Sequence, residues 1–471
     1  MSTTDLEELE KAIGQIWDIA HRFGLDPFPT HFELVPATIM YEFGSYGLPG
    51  RFSHWTHGKA YYRMKTSYDY GLSKIYELVV NTNPSYAFLM EQNDVLQNKV
   101  VIAHVLGHTD FFKNNVYFRH TARNMIDKVS VNADRIRKYE FDHGRDEVER
   151  FLDAVLSIQE HVDYNLHLRK RPPVERQPAR SREIEEPYAD LWGLEKRDEP
   201  PPRPKPKKFP EEPEKDILLF LAEHAPDLED WQRDIILIVR EEMLYFVPQM
   251  QTKIMNEGWA SFWHARIMRE LDLTDREYTE FARMHASVLA PSRTHLNPYH
   301  LGYRMFEDIE RRWDNPTAEE RERLGRKPGQ GRAKIFEVRE LDNDASFLRN
   351  YLTKDLIEDL DLYIYRKEGD EWVIVEKNWE KVRDAIVASM TNLGNPYLVI
   401  EDADYRRNSE LYIKHCFEGQ ELDLVYAEKT LRYVYQLWGR PVHLETVWDG
   451  KRLLLSCDGE RNTKTTLDRS S

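Results

Sequence analysis

The sequence predicts a mainly helical N-terminal domain followed by a smaller α+β C-terminal domain, and three observations carry that expectation. Apolar residues recur at helical spacing from Leu6 to Phe306, with helix caps at Thr3/Thr4, Thr274 and Asn297. Residues 172–213 hold 11 of the chain's 24 prolines, the composition of an extended connector. After Pro328-Gly329-Gln330-Gly331 the pattern changes to short apolar alternations separated by turn residues. The expected organisation is therefore a first helical part over 1–165, a connector over 166–215, a second helical part over 216–330, an α+β domain over 331–460 and a tail over 461–471.

In chain order, Leu6, Leu9, Ile13, Ile16, Trp17 and Ala20 mark an opening amphipathic helix that stops before Gly24 and Pro27. Residues 28–52 read as an irregular, aromatic-rich loop, and it continues through His54 and His57. A short helix over 72–76 and a strand over 78–80 lead toward the apolar run Val100–His108. Two amphipathic patterns follow, around Ile126–Ile136 and over 139–156. Within the connector, Tyr188, Leu191 and Trp192 are expected to dock a short piece on the body. Helices resume over 217–223 and 231–246, break at Pro248, and restart through Glu257 and His264 to Leu271. Thr274 with Glu277 predicts a capping box for a helix to Leu289, and Asn297-Pro298 opens another carrying His300 and Glu307.

In the last part, 362–366 and 372–376 read as a hairpin around Gly369 and 379–390 as a helix. Strands are expected over 397–400 and 411–417, a helix over 423–438, and a final hairpin around Asp449-Gly450. No catalytic constellation stands out there, which points to interaction or regulation.

Length and composition narrow the function classes. A chain of 471 residues with 41% apolar and 12% aromatic residues can bury a substantial core in more than one domain. Its net charge of −16 opposes general binding to nucleic acid or anionic membranes. No basic-plus-apolar leader and no long apolar span are present, so a cytoplasmic chain without membrane insertion is expected. The two cysteines, Cys416 and Cys457, form no Cys-x-x-Cys pair and fit a reducing compartment.

The chemistry-bearing pattern is a pair of apolar stretches. His104 and His108, four apart, stack on one helix face, and Glu257 and His264, seven apart, share a face of another. Two histidines plus a carboxylate from a second helix make the three-ligand set of a catalytic zinc ion or another divalent first-row metal. Small Ala260 and Ser261 between Glu257 and His264 are expected to leave room for a ligand. The metal candidates are thus His104, His108, Glu257 and His264. The bland alternative is a set of hydrogen-bonded core histidines.

The wording of the second stretch, Asn256-Glu257-Gly258-Trp259-Ala260-Ser261, resembles the helix that supplies the glutamate ligand in gluzincin aminopeptidases. That resemblance implies gluzincin-like helices. The first helix departs from the H-E-x-x-H pattern, because Val105 stands where the glutamate base would be. Another carboxylate must then move the proton in a hydrolytic reaction, and Glu91 and Glu307 are the candidates. Arg51, His54, His300 and Tyr303 are candidates for substrate binding.

Motifs along the whole chain resemble the stage V sporulation protein R (SpoVR) family: Gly-Leu-Pro-Gly-Arg-Phe-Ser-His-Trp at 47–55, Asn-Thr-Asn-Pro-Ser-Tyr-Ala-Phe-Leu at 81–89, Ala-His-Val-Leu-Gly-His-Thr-Asp-Phe-Phe-Lys-Asn-Asn at 103–115, Met-Asn-Glu-Gly-Trp-Ala-Ser-Phe-Trp-His at 255–264 and Asn-Pro-Tyr-His-Leu-Gly at 297–302. The resemblance implies a cytosolic bacterial protein tied, in endospore formers, to formation of the spore cortex. Its expected partners are other sporulation proteins and a serine protein kinase system of the AAA+ type. Two functions compete at this level: a metal-dependent hydrolase or amide/acyl-transfer enzyme, and a non-catalytic assembly or regulatory factor with a structural or vestigial metal-like site.

Overall fold

The computed structural model describes residues 3–69, 77–168, 208–292, 295–369 and 371–467. The expected helix over 72–76 and the docking of Tyr188, Leu191 and Trp192 lie outside the described residues, as does most of the proline-rich connector. The chain divides into two compact units, one of residues 1–152 with 238–395 and one of residues 153–237 with 396–471.

The first unit opens with α1 (Thr3–Arg22), whose Leu9, Ile16 and Ala20 face the core as the spacing predicted. Residues 28–52, expected to be irregular, instead hold β1 (Thr30–Val35) and α2 (Ala37–Tyr46). Pro36 stands at the N-cap of α2, and Gly47, at φ 76°, closes its C-terminus in the left-handed conformation. α3 (Trp55–Asp69), β2 (Glu77–Val80) and β3 (Ser85–Met90) follow. β3 is the middle strand of a three-stranded sheet, parallel to β1 and antiparallel to β2, and Glu77 pairs in register with Leu89. Next come α4 (Val95–Asn114), α5 (Met125–His143) and α6 (Arg145–Leu156).

The second unit holds α7 (Ile217–His224), and from Ile238 the chain is again in the first unit. α8 (Asp230–Gln251) runs straight through Pro248, so the expected break there does not occur. The chain is instead interrupted at Thr252, whose hydroxyl donates to the Pro248 carbonyl at 2.7 Å, and α9 (Lys253–Glu270) begins next to it. α10 (Asp275–Val288) has the expected Thr274/Glu277 capping box, and α11 (Pro298–Asp314) the expected Asn297 cap. α12 (Ala318–Leu324) follows within the charged stretch.

Beyond Gly331 the structure differs from the expected domain plan. α13 (Gly331–Leu341), α14 (Asp344–Tyr351), α15 (Lys354–Asp359), the hairpin β4 (Ile364–Glu368) and β5 (Glu371–Glu376), and α16 (Trp379–Met390) belong to the first, helical unit. The physical reason is one shared core: Ile335, Val338, Phe347, Ile357 and Val382 lie in the same buried cluster as Ile16, Val105, Trp259 and Phe306.

The second unit holds the C-terminal sheet, in the order β10-β9-β8-β7-β6: β6 (Leu398–Tyr405), β7 (Glu410–His415), β8 (Val442–Trp448), β9 (Lys451–Cys457) and β10 (Asn462–Thr466). α17 (Leu424–Trp438) connects β7 to its parallel neighbour β8. Residues 462–466 of the expected tail thus form an edge strand. Part of the expected connector is also ordered: Glu214 and Ile400 exchange backbone hydrogen bonds of 3.0 and 2.7 Å alongside β6. No helix among the described residues is long and apolar enough to cross a membrane.

Candidate metal centre

The site is built where α4, α9 and β2 meet. Asp94 and Gln97 close a capping box at the start of α4, and the helix is then buried almost without interruption from Val101 to Phe112. Its contact with α9 is made by glycine. A Cβ on Gly107 would lie 2.6 Å from Ala260 Cα, and one on Gly258 would lie 2.4 Å from Gly302 of α11. The small residues therefore bring helix backbones together rather than leaving room for a ligand, which corrects the expectation for Ala260. Ser261 is fully buried, and its hydroxyl has no hydrogen-bond partner.

That close approach gathers four side chains. Glu77 Oε1 lies 3.3 Å from His104 Nε2 and 3.4 Å from His108 Nε2. Glu257 Oε2 lies 3.6 and 3.4 Å from the same two nitrogens. Donor atoms arranged tetrahedrally about an ion at about 2.0–2.2 Å are separated by roughly 3.3–3.6 Å. Glu257 Oε2 is buried, with no well-aligned hydrogen-bond partner, and faces the two imidazoles. Among the described residues, Glu77, His104 and His108 form the group whose ligand atoms all lie within 4.8 Å of one another.

The electrostatics favour positive charge at this point. Burial by itself lowers the His108 pKa, but the Glu257 and Glu77 carboxylates raise it to about 10. Burial by itself raises Glu257, but His108 and His104 hold it well below the usual carboxylate range. Tyr299, at the start of α11, stacks on His104 at 6.1 Å between ring centroids and hydrogen-bonds Glu257. Burial, reinforced by Glu257 and Glu77, pushes its phenol far above its ordinary pKa and keeps it neutral.

Outer partners orient the two imidazoles. His108 Nδ1 lies 2.9 Å from Asn256 Oδ1, an acceptor, so Nδ1 carries the hydrogen and Nε2 faces the cluster. His104 Nδ1 meets His264 Nδ1 at 2.8 Å, and His264 Nε2 meets His285 Nδ1 at 2.9 Å. Burial, with the neighbouring histidines, holds His264 well below its ordinary pKa; burial, with Arg269, lowers His285 to about 4. Further out, Asp110 accepts from Trp259 Nε1 and from Asp26 N, both at 2.8 Å, and pairs with Arg339 at 3.2 Å. Asp344 accepts from the backbone N–H groups of Ile254 and Met255 at 2.8 and 2.9 Å, fixing the turn of α9 that presents Glu257.

The residues singled out from sequence distribute as follows. His104, His108 and Glu257 converge, while His264 stands behind His104 and does not face the cluster centre. Glu91 is exposed just after β3, and Glu307 is half-buried and paired with Arg304 at 3.6 Å, so neither is among the converging groups. Tyr303 packs its ring on His285 and bonds Glu307, and burial pushes its phenol up to about 12. His300 is half-buried at the start of α11, its pKa lowered by burial and by Arg304. Arg51 and His54 belong to another neighbourhood. Arg51 donates to the buried Glu242 at 2.6 Å and lines a cavity of about 210 Å³ with Glu42, Tyr46 and Phe52, while His54 Nδ1 bonds the Thr56 hydroxyl at 2.7 Å. Glu77, Asn256 and His285 went unread. Glu77 directly precedes the strand expected at 78–80, and its place in the site depends on the pairing of β2 with β3, which no local pattern reports.

Comparison with known proteins divides the chain once, after Asn395. The family described as "SpoVR like protein" matches residues 3–395, and that described as "SpoVR-like C-terminal domain" matches residues 396–449. The chain is 31% identical over 470 residues to "Uncharacterized protein YcgB" of Escherichia coli (strain K12), covering 93% of this chain and 91% of that one. No solved structure matches.

Proposed function

The chain belongs to the SpoVR-like protein family, and on that premise we propose that it is a sporulation-associated, metal-dependent hydrolase or amide/acyl-transfer enzyme. The ligands in this reading are His104, His108 and Glu257, with Glu77 beside the open fourth position. The supporting observation is the convergence of two imidazole Nε2 atoms on two carboxylates at 3.3–3.6 Å, one of whose oxygens is buried without a well-aligned hydrogen-bond partner. Nitrogen and carboxylate donors without thiolate suit zinc, manganese or iron.

A divalent ion bound there supplies Lewis acidity toward a carbonyl oxygen or a water molecule. The remaining roles fall to the chain itself. Asn256 and His264 hold the two imidazoles with Nε2 inward. Glu77, which comes from a strand and not from α4, stands in for the carboxylate missing at Val105 and takes the proton. Tyr299, neutral and donating its hydroxyl hydrogen to Glu257, holds that carboxylate in place. This is a gluzincin-like division of labour with the base relocated. A role in spore cortex formation, and work beside an AAA+ serine protein kinase, follow from the family resemblance and complete the proposal.

A second reading is a structural metal site in an assembly factor, in which Glu77 is a fourth protein ligand and closes a tetrahedral site. Substitution of Glu77 by Gln separates the two. The enzyme reading expects Glu77→Gln to retain bound metal while amide hydrolysis on model peptides is lost; the structural reading expects the metal itself to be lost.

A further inference from the structure

Among the described residues, the longest run of consecutive exposed large apolar residues lies on one strand. On β5, Trp372, Val373, Ile374 and Val375 are 47%, 40%, 37% and 42% exposed. Strand alternation sends Trp372 and Ile374 to one face and Val373 and Val375 to the other, so neither face of the strand is covered. β4 and β5 form a two-stranded sheet of their own, and the outer edge of β5 pairs with no strand among the described residues. Isolated two-stranded sheets are marginal in water, and an unpaired apolar edge is a template for another strand.

The charges along this edge specify the occupant. Glu371 begins β5 and Lys377 directly follows it. Antiparallel pairing of two copies about Ile374 sets Val373 against the partner's Val375 and Glu371 against the partner's Lys377, twice over by symmetry. Slipping the register by one residue would set Glu371 against the partner's Glu376, a like-charge pair.

We propose that β5 pairs edge to edge with β5 of a second copy, giving a four-stranded sheet across a two-fold axis and a homodimer of the full chain. This proposal is independent of the metal reading. The test is sedimentation equilibrium on the full-length protein and on charge variants whose folding is checked by circular dichroism. The wild type is expected at twice the 56.1 kDa chain mass. Glu371→Lys and Lys377→Glu should each shift it to the monomer, and the double reversal, which restores the complementary pairs, should recover the dimer. A monomeric wild type, a dimer indifferent to the single reversals, or a double variant that stays monomeric would each overturn the proposal, the last two by placing any self-association or strand partner elsewhere.

Discussion

The amide oxygen of Asn256 holds His108 Nδ1 at 2.9 Å while the next residue on the same helix, Glu257, faces His108 Nε2 at 3.4 Å. Two consecutive residues of α9 thus address both nitrogens of one imidazole on α4. Replacing Asn256 with Ala removes the partner that fixes the ring but leaves the converging donors in place. Metal affinity, measured by competition with a chromophoric chelator, is expected to fall by roughly 10–100-fold without loss of the site.

His264 acts on His104 as Asn256 acts on His108, at 2.8 Å from Nδ1. His264→Ala should therefore lower metal affinity within the same roughly 10–100-fold range, milder than the complete loss expected for His108→Ala. Equal loss in both variants would make His264 a direct ligand.

The helix contacts under the site tolerate no side chain. In Gly258→Ala the new Cβ would stand 2.4 Å from backbone atoms of Gly302, so α9 and α11 must separate. Chemical denaturation should show a loss of about 3 kcal/mol or more, at or beyond the upper end of ordinary overpacking. Gly14→Ala is the contrasting control. Gly14 lies in the interior of α1 with nothing within 4 Å of its Cβ position, and the change should stabilise by about 0.5–1 kcal/mol.

These contacts show what could and could not be read from the chain. The pairing of the His104/His108 helix with the Glu257 helix was legible because i, i+4 and i, i+7 spacing is a local property. Glu77 was not, since its contribution depends on which strand pairs with β3. Ala260 was misread because a small residue looks the same in sequence whether it opens a cavity or admits a neighbouring backbone, and only the facing Gly107 decides. Residues beyond Gly331 were assigned to the C-terminal domain because Pro328-Gly329-Gln330-Gly331 reads as a domain boundary. Ile335 and Val338 nonetheless rejoin the first core through contacts far apart in sequence.

Acid should destabilise the first unit through His57. Burial, then the Arg51 cation and His54, lowers its pKa from 6.5 to about 4. Between those values the unfolded chain binds the proton and the folded one does not, so this contribution to stability is complete above pH 6.5 and is lost as pH falls toward 4. The loss attributable to this residue is up to about 3 kcal/mol. Urea midpoints followed over that window should fall less steeply in His57→Gln than in the wild type; parallel slopes would remove His57 from the account.

Elemental analysis of protein purified without chelators tests the metal centre most directly. The arrangement of Glu77, His104, His108 and Glu257 predicts about one divalent first-row metal ion per chain, absent from His108→Ala and Glu257→Ala while helix content is retained. Wild-type protein that remains metal-free after incubation with zinc, manganese, iron or nickel would contradict it, leaving the four side chains as a hydrogen-bonded polar cluster in the core.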